Sequence, residues 1–276
     1  MNRRLPGPTQ LRDLFERYGV RPRKSLGQHF VTDPNTIRKA LRAARLTSSD
    51  RVVEIGSGAG SLTVALSGAA SHVVALEVDA RMIPLLREVA GGYPNVDIVH
   101  ADALEFAFDT VDANKALGNL PYNVATTIIL RVLESAPQIE ELTVMTQREV
   151  GERLCAAPGS RSYGLPTVLV QYFATSAIVS PVSRRAFYPV PNVDSVLVRI
   201  VRKPVALAIE SDRLGMVVRA AFSQRRKALR NSLATLAGSP AAAEKMVRAA
   251  GLDPGSRAEQ IDVDGYVAMA SALQRS

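Results

Sequence analysis

Short apolar segments alternate with helix-like segments between Arg51 and Thr146. Five of the apolar segments are predicted to be strands, with the sequences RVVEIG, HVVALEVD, VDIVH, ANKALGN and ELTVMTQ. Strands separated by helices of about 10–15 residues are typical of βαβ units, which build a mostly parallel, doubly wound sheet. Such sheets bind ligands at the carboxyl ends of their strands. The chain is therefore predicted to have an α/β fold with its site along that edge.

The pattern changes after Pro204, since residues 211–273 have helical spacing of their apolar positions. We predict a first domain of residues 1–203, which includes a basic N-terminal segment (1–35). A small all-helical domain is predicted for residues 204–276.

The composition excludes several classes of protein. With 276 residues, 47% hydrophobic and 22% charged, the chain can bury a large core and is too apolar for intrinsic disorder. Its one cysteine, Cys155, excludes an internal disulfide framework and agrees with a reducing compartment. No apolar stretch of about 20 residues predicts a membrane span, and no apolar signal segment is visible. We expect a cytoplasmic protein with no membrane partner.

The net charge of +8 is unevenly distributed. Residues 1–50 carry 11 Lys and Arg against 4 Asp and Glu, residues 51–180 carry 8 against 14, and residues 181–276 carry 15 against 8. This basic–acidic–basic layout favours a polyanionic partner that both flanks hold. An ordinary solvated basic surface explains the charge equally well at this point.

A glycine turn, Gly56-Ser57-Gly58-Ala59-Gly60, joins the first predicted strand to a helix. Glycines permit a tight turn and a close approach of the backbone to a ligand. A dinucleotide site would have a third glycine where this chain has Ser61, whereas the G-x-G-x-G form suits S-adenosylmethionine. A glycine turn without a ligand remains the alternative.

Acidic residues follow the next two strands. Glu77 lies 21 positions beyond Gly56, where a carboxylate can accept hydrogen bonds from both hydroxyls of a ribose. Asp102 follows the third strand and is expected to accept from the adenine amine of the cofactor, unless it is a cap or turn residue. Together these positions predict a cofactor crevice.

The sequence Asn119-Leu120-Pro121-Tyr122 ends the fourth predicted strand. An exocyclic adenine amine is a poor nucleophile, because its lone pair is delocalised into the ring. The Asn119 side-chain oxygen and the Leu120 carbonyl can accept its two hydrogens and draw the nitrogen towards tetrahedral geometry. Pro121 stiffens the turn, and Tyr122 offers a face on which an extruded base can stack. The motif predicts an adenine methyltransferase that needs no metal.

The sequence resembles the ribosomal RNA adenine N6-dimethyltransferases over nearly its whole length. The segments that carry the resemblance are KSLGQHFVTD, VEIGSGAGSLT, LEVD, HADAL, NLPYN, MTQREVGERL, FYPVPNVDSVLVRI, AFSQRRKALRNSL and SRAEQIDVDGY. The last two are similar to the bacterial small-subunit branch more than to the macrolide-resistance branch.

The resemblance implies a Rossmann-like S-adenosylmethionine domain followed by a helical domain. It implies dimethylation of two adjacent adenosines near the 3′ end of 16S rRNA, late in small-subunit assembly, and kasugamycin sensitivity. It implies cofactor contacts from His29, Val31, Gly56, Gly58, Glu77, Asp102 and Asn119. The target base would lie between Tyr122 and Phe187.

Two residues depart from the family pattern. His29 replaces an asparagine and can still donate to the carboxylate of the cofactor, although its charge varies near neutral pH. Ser57 replaces the usual proline of the glycine turn.

The expected partner is 16S rRNA within the small subunit or its late precursor, bound by a monomer. Phosphate contacts are expected from Arg21, Arg23 and Lys24, and from a cluster on one helix of the second domain, Arg225, Arg226, Lys227 and Arg230. Two alternatives stay open: an adenine methyltransferase acting on 23S rRNA or DNA, and a ribosome-assembly or transcription factor without activity.

Overall fold

The computed structural model of the chain describes residues 7–23, 26–204 and 209–273. In chain order its helices and strands are α1 (Pro8–Arg17), β1 (Phe30–Val31), α2 (Pro34–Ala43), β2 (Arg51–Ile55), α3 (Ser61–Ser67), β3 (His72–Glu77), α4 (Ile83–Ala90), β4 (Val96–His100), β5 (Lys115–Asn119), α5 (Ala125–Ser135), β6 (Glu141–Gln147), α6 (Arg148–Leu154), α7 (Leu165–Phe173), β7 (Ala174–Val182), β8 (Phe187–Tyr188), β9 (Ser195–Arg202), α8 (Ser211–Phe222), α9 (Leu229–Ser232), α10 (Ala234–Ala237), α11 (Pro240–Ala249) and α12 (Val263–Leu273).

Two compact units divide the chain. The first contains the chain through Gly151 together with Ala177–Arg202, and the second contains Glu152–Ser176 together with the chain from Lys203 onward. The chain passes from the first unit to the second between Arg202 and Lys203, next to the domain boundary expected at residue 203. The second unit also includes Glu152–Ser176, a segment that the sequence pattern assigned to the first domain. Hydrogen bonds tie this segment to the later chain, since Lys203 N donates to the Phe173 carbonyl over 2.9 Å.

A seven-stranded sheet has the order β4-β3-β2-β5-β6-β9-β7. Strands β4, β3, β2, β5 and β6 pair in parallel, and β9 pairs antiparallel with β6. The parallel strands are the five expected from the sequence, so the predicted α/β fold is confirmed. Ile55 lies opposite Leu76 on one side and Gly118 on the other, and the carboxyl ends of β2, β3 and β5 therefore meet at one edge.

Helix α2 is fixed at its start and along its buried face. Asp33 caps it by accepting a hydrogen bond from Thr36 N over 2.9 Å, which satisfies a free amide of the first turn. Its Ile37 side chain packs in one core with Val52 of β2 and Leu117 of β5. The segment that precedes α2 is thereby held next to the sheet.

A two-stranded antiparallel pair, β1 with β8, was not predicted. Phe30 lies opposite Tyr188 and Val31 opposite Phe187, and Thr32 N donates to the Ala186 carbonyl over 2.8 Å. Because the partners are more than 150 positions apart, the pair brings the motif KSLGQHFVTD next to the motif FYPVPNVDSVLVRI.

The C-terminal part of the second unit contains α8 to α12, as the helical spacing predicted. Aromatic rings pack inside the second unit: Phe222 stacks on Tyr266 with 6.0 Å between ring centroids, and Tyr163 packs against Phe222 at a tilt, with 6.3 Å between centroids. Among the described residues, no helix combines the length and apolar character that crossing a bilayer requires.

Candidate active site

The turn after β2 requires glycine at three positions. Gly56, Gly58 and Gly60 have φ angles of +77°, +53° and +82°, which other residues rarely adopt. A Cβ atom at Gly58 would lie 2.8 Å from the Phe30 ring, so any side chain there would force that ring to shift. The turn directs the Gly58 amide at the end of the next strand, where it donates to Glu77 Oε2 over 2.7 Å.

Glu77 ends β3 with only 5% of its surface exposed. Its Oε1 accepts a second backbone hydrogen bond, from Asp79 N over 2.8 Å. Burial raises the pKa of Glu77 above its ordinary value, and the two backbone hydrogen bonds oppose that shift. Each carboxylate oxygen has a further lone pair, so Glu77 can still accept hydrogen bonds from the hydroxyls of a ligand.

These elements border a cleft that is partly open to solvent. Six of the seven expected cofactor residues line it: His29, Val31, Gly56, Gly58, Glu77 and Asn119. Asp102 is not among the lining residues. It is exposed, and its Oδ1 accepts from Leu104 N over 2.8 Å, as a turn residue does. Its contact with an adenine amine stays a prediction.

Gln28 connects the N-terminal segment to the sheet edge. Its Nε2 donates to Asp79 Oδ2 over 2.9 Å, and its Oε1 accepts from Arg23 N over 2.8 Å. Asp79 also pairs with Arg81, whose hydrogen bonds lower the pKa of Asp79 to about 2. The sequence analysis did not identify Gln28, because its partner lies 51 positions later in the chain.

Two further polar groups line the cleft and were also missed. Glu54 of β2 is 1% exposed and accepts a hydrogen bond from Thr63 Oγ1 over 2.5 Å. Burial raises the pKa of Glu54 to about 7. Ser61 Oγ is buried with no hydrogen-bond partner in the described part of the chain, which leaves a donor for a polar ligand. The sequence carries no signal that a carboxyl group inside a strand will be buried, so Glu54 was interpreted only as part of the apolar segment RVVEIG.

The turn after β5 is anchored to neighbouring segments. Asn119 Nδ2 donates to the backbone carbonyl of His29 over 2.6 Å. Leu120 N donates to the Met145 carbonyl of β6 over 3.0 Å. Pro121 has no N–H that needs an acceptor, and the stiff turn expected from the motif stays a prediction.

Tyr122 is half-buried beside this turn. Its hydroxyl lies 3.2 Å from Ser195 Oγ, and burial raises its pKa. One face of its ring is stacked against His29, with 5.8 Å between ring centroids and 20° between ring planes. His29 Nδ1 lies 2.7 Å from the Pro189 carbonyl oxygen.

Phe187 has no open face for a base in this structure. It is 2% exposed and packs in the core beside Val31, its partner in the β1–β8 pair. Strand alternation turns Tyr188 the other way, where its ring stacks on Phe15 at 6.2 Å. Stacking of a base on Phe187 stays a prediction and requires the ring to leave this core.

The expected RNA-binding residues differ in their surroundings. Arg21 and Arg23 are exposed between α1 and β1, while Lys24 lies outside the described residues. The cluster was expected on one helix, but Arg225 to Lys227 lie in the turn between α8 and α9, and only Arg230 is in a helix, α9. The helix ends at Phe222, so the cluster lies on a bend of the chain.

Arg225 has an internal role within the second unit. Its guanidinium donates to the carbonyl oxygens of Arg161 and Tyr163 and lies 3.5 Å from the Glu259 carboxylate. Arg226, Lys227 and Arg230 are exposed. Within the described residues, no group of three or more His, Cys, Asp or Glu side chains could hold a metal ion.

A family model described as ribosomal RNA adenine dimethylase matches residues 19–275. The chain belongs to this family. The chain, called the dimethylase below, is thus a methyltransferase of ribosomal RNA. The family resemblance inferred from its motifs is confirmed. Members of the family use S-adenosylmethionine.

Relatives of the dimethylase match over nearly their full length. Ribosomal RNA small subunit methyltransferase A of Leifsonia xyli is 42% identical over 277 residues, covering 97% of this chain and 98% of the relative. The protein of the same name from Kineococcus radiotolerans is 45% identical over 267 residues, covering 95% of this chain and 89% of the relative.

Two solved structures share the Rossmann-like fold of the dimethylase. A dimethyladenosine transferase from Plasmodium falciparum has a TM-score of 0.76 and 26% identity, covering 87% of this chain and 96% of that one. The 23S rRNA methyltransferase ErmE has a TM-score of 0.68 and 28% identity, covering 89% of this chain and 99% of that one.

Proposed function

We propose that this dimethylase transfers methyl groups from S-adenosylmethionine to the N6 amines of two adjacent adenosines near the 3′ end of 16S rRNA. The product is a pair of N6,N6-dimethyladenosines, made late in small-subunit assembly. The enzyme acts as a cytoplasmic monomer without a metal ion, and its loss gives kasugamycin resistance. The relatives named small subunit methyltransferase A support the choice of subunit.

One observation carries the proposal. Asn119, at the start of the Asn-Leu-Pro-Tyr turn, lines the same cleft as the glycine turn and Glu77. A methyl donor held by the glycine turn and an amine held by Asn119 would therefore share one cleft. Proximity and alignment account for most of the rate of such a transfer.

The residues of the cleft fit S-adenosylmethionine. Glu77 retains acceptor capacity for ribose hydroxyls, the buried Ser61 Oγ is a donor with no partner among the described residues, and Glu54 and Glu77 suit a positively charged ligand. When bound, the sulfonium supplies an electrophilic methyl group. Asn119 Oδ1 and the Leu120 carbonyl accept the two amine hydrogens, and Tyr122 stacks the adenine. The methylated nitrogen is acidic, so its proton leaves without a strong base.

The RNA contacts are assigned to the basic residues of both flanks. Arg21, Arg23 and Lys24 precede the cofactor segment, and Arg225, Arg226, Lys227 and Arg230 belong to the helical, RNA-binding part of residues 204–276. Contacts with phosphates give affinity but little sequence information, so RNA shape and the extruded adenines select the substrate.

The test is transfer of labelled methyl groups to unmethylated small subunits, with large subunits and naked 16S rRNA as parallel substrates. We expect label in the small subunit, at neighbouring adenosines near the 3′ end of 16S rRNA. Label confined to the large subunit would contradict the proposal. That outcome is the second candidate, which the likeness to the 23S rRNA methyltransferase ErmE favours.

A further inference from the structure

His29 lies where three segments of the candidate active site meet. Its backbone carbonyl accepts from Asn119, its imidazole Nδ1 contacts the Pro189 carbonyl, and its ring stacks on Tyr122. These contacts join the segment before β1 to the turn after β5 and to the loop after β8. Of the two side-chain contacts, the one with Tyr122 lies in the half of the site assigned to the methyl acceptor.

The contact with Asn119 orients its amide group. Because Nδ2 donates to the His29 carbonyl over 2.6 Å, Oδ1 is the side-chain atom that remains to accept from a ligand. Transfer to an adenine amine requires an acceptor at this position. The orientation depends on a backbone carbonyl, so a substitution of the His29 side chain preserves it.

The contact with Pro189 fixes the imidazole ring. A carbonyl oxygen only accepts hydrogen bonds, so Nδ1 carries a proton and donates it over 2.7 Å. In the neutral ring the lone pair is then on Nε2. The Nδ1 proton is therefore not available to the carboxylate of a cofactor, which is the role that the family resemblance implied for this position.

The fixed imidazole covers one face of Tyr122. The hydroxyl of the same tyrosine lies 3.2 Å from Ser195 Oγ, so the ring is held both at its face and at its far end. A base that stacks on Tyr122 without displacing His29 takes the opposite face. A platform held in this way presents the base in one orientation.

We propose that His29 is a positioning residue of the methyl-acceptor half of the site. Its imidazole backs the Tyr122 ring and places the target adenine on the opposite face. The inference rests on the proposed function, since Tyr122 has a base to hold only if adenine is the acceptor.

The test compares the wild-type protein with the His29→Ala and His29→Phe variants. Phenylalanine keeps a ring against Tyr122, whereas alanine removes it. The matched control is His72→Ala, which alters the histidine at the start of β3 that pairs with Asp97 of β4. For each protein we would measure the dissociation constant of S-adenosylmethionine by equilibrium dialysis, kcat and KM with unmethylated small subunits, and Tm.

We expect His29→Ala to lower kcat/KM by about fivefold or more, because the variant has no ring to orient Tyr122. Affinity for S-adenosylmethionine should stay at the wild-type value, and Tm should fall by only a few degrees, as the loss of one hydrogen bond and one ring contact causes. His29→Phe should recover most of the activity, and His72→Ala should match the wild type.

Three results would overturn the inference. Weaker binding of S-adenosylmethionine by His29→Ala would assign the residue to the cofactor. Equal kcat/KM for His29→Ala and wild type would remove the positioning role. Equal impairment of the Phe and Ala variants would show that ring stacking is not the operative contact. Failure of the proposed function would be seen separately, as a wild-type protein that methylates no ribosomal substrate, and the inference would fall with it.

Discussion

At the scale of single residues, the most unusual feature of the cleft is a pair of buried carboxyl groups, Glu54 and Glu77. Each is held by hydrogen bonds, and the charge of Glu77 adds to the burial that raises the pKa of Glu54. An ionised carboxylate in a buried site is costly unless a partner compensates it. A cationic ligand in the cleft would supply that compensation.

Replacing Glu54 with Gln is expected to reduce the dependence of stability on pH. Burial raises the pKa of Glu54 from 4.5 to about 7, so the folded protein binds this proton more tightly than the unfolded chain. The contribution of Glu54 to the free energy of unfolding is therefore intact below the pKa that the group has in the unfolded chain. It is lost, by on the order of 3 kcal/mol, as pH rises through the pKa that the group has in the folded protein. Urea unfolding between about pH 5 and about pH 8 should show the variant gaining stability relative to wild type. Parallel stability profiles would contradict this account of Glu54.

Replacing Glu77 with Gln should weaken binding of S-adenosylmethionine by about tenfold, because the variant has no charged acceptor for the ribose hydroxyls. Calorimetric titration of the cofactor measures the effect directly. Glu105→Gln is the matched control, since it removes an exposed carboxylate outside the cleft. Equal affinities for the two variants would exclude Glu77 as a cofactor ligand.

At the scale of elements, the strands and the glycine turn could be predicted because their signals are local. The apolar runs define β2 to β6, and the polar residues at their ends, such as Glu77 and Asn119, then fall along one edge. The β1–β8 pair could not be predicted, since it joins residues more than 150 positions apart. The contacts of His29 with Pro189 and of Gln28 with Asp79 also join distant parts of the chain, 160 and 51 positions apart, and have no sequence signal.

The local sequence pattern did not show where α8 ends or to which unit segment 152–176 belongs. Helical spacing continues past Phe222, but the chain turns there and places Arg225 against the carbonyls of Arg161 and Tyr163. Segment 152–176 is apolar enough to fit either unit. Only its hydrogen bonds to the later chain, such as Lys203 to Phe173, show which one it joins.

Gly58→Ala tests the packing of the glycine turn against β1. The substitution places a residue at a φ of +53° and a Cβ atom 2.8 Å from the Phe30 ring. We expect a loss of about 1–3 kcal/mol in the free energy of unfolding and loss of cofactor binding. Gly19→Ala is the control, because it has a φ of +62° with no atom within 4 Å of the added Cβ. It should lose about 1 kcal/mol and bind the cofactor normally. Cofactor binding by Gly58→Ala at the wild-type level would contradict the proposed role of the turn.

At the scale of the whole molecule, the charge is the dominant feature. Both basic flanks carry a surplus of +7, whereas residues 51–180, which contain most of the cleft, carry −6. This division agrees with flanks that hold RNA phosphates and a centre that holds a cationic cofactor.

The double variant Arg226→Gln/Lys227→Gln is expected to weaken RNA binding at low salt. The slope of log affinity against log salt concentration should fall by about 0.7–0.9 for each phosphate that the variant no longer neutralises. Filter binding to 16S rRNA over a range of salt concentrations measures it. The control Arg87→Gln/Arg148→Gln removes two exposed arginines on α4 and α6, within the acidic segment 51–180, and should keep the wild-type slope. If both pairs lower the slope equally, RNA binding is a property of net charge and not of this turn.

The central claim is that the turn from Asn119 to Tyr122 holds the adenine amine for methyl transfer. Its most direct test is the yield of N6,N6-dimethyladenosine, measured by mass spectrometry of nucleosides from small subunits treated with wild type or with Asn119→Ala. We predict dimethyladenosine from the wild type and none from the variant, with RNA binding retained in both. Equal yields from the two proteins would contradict the claim.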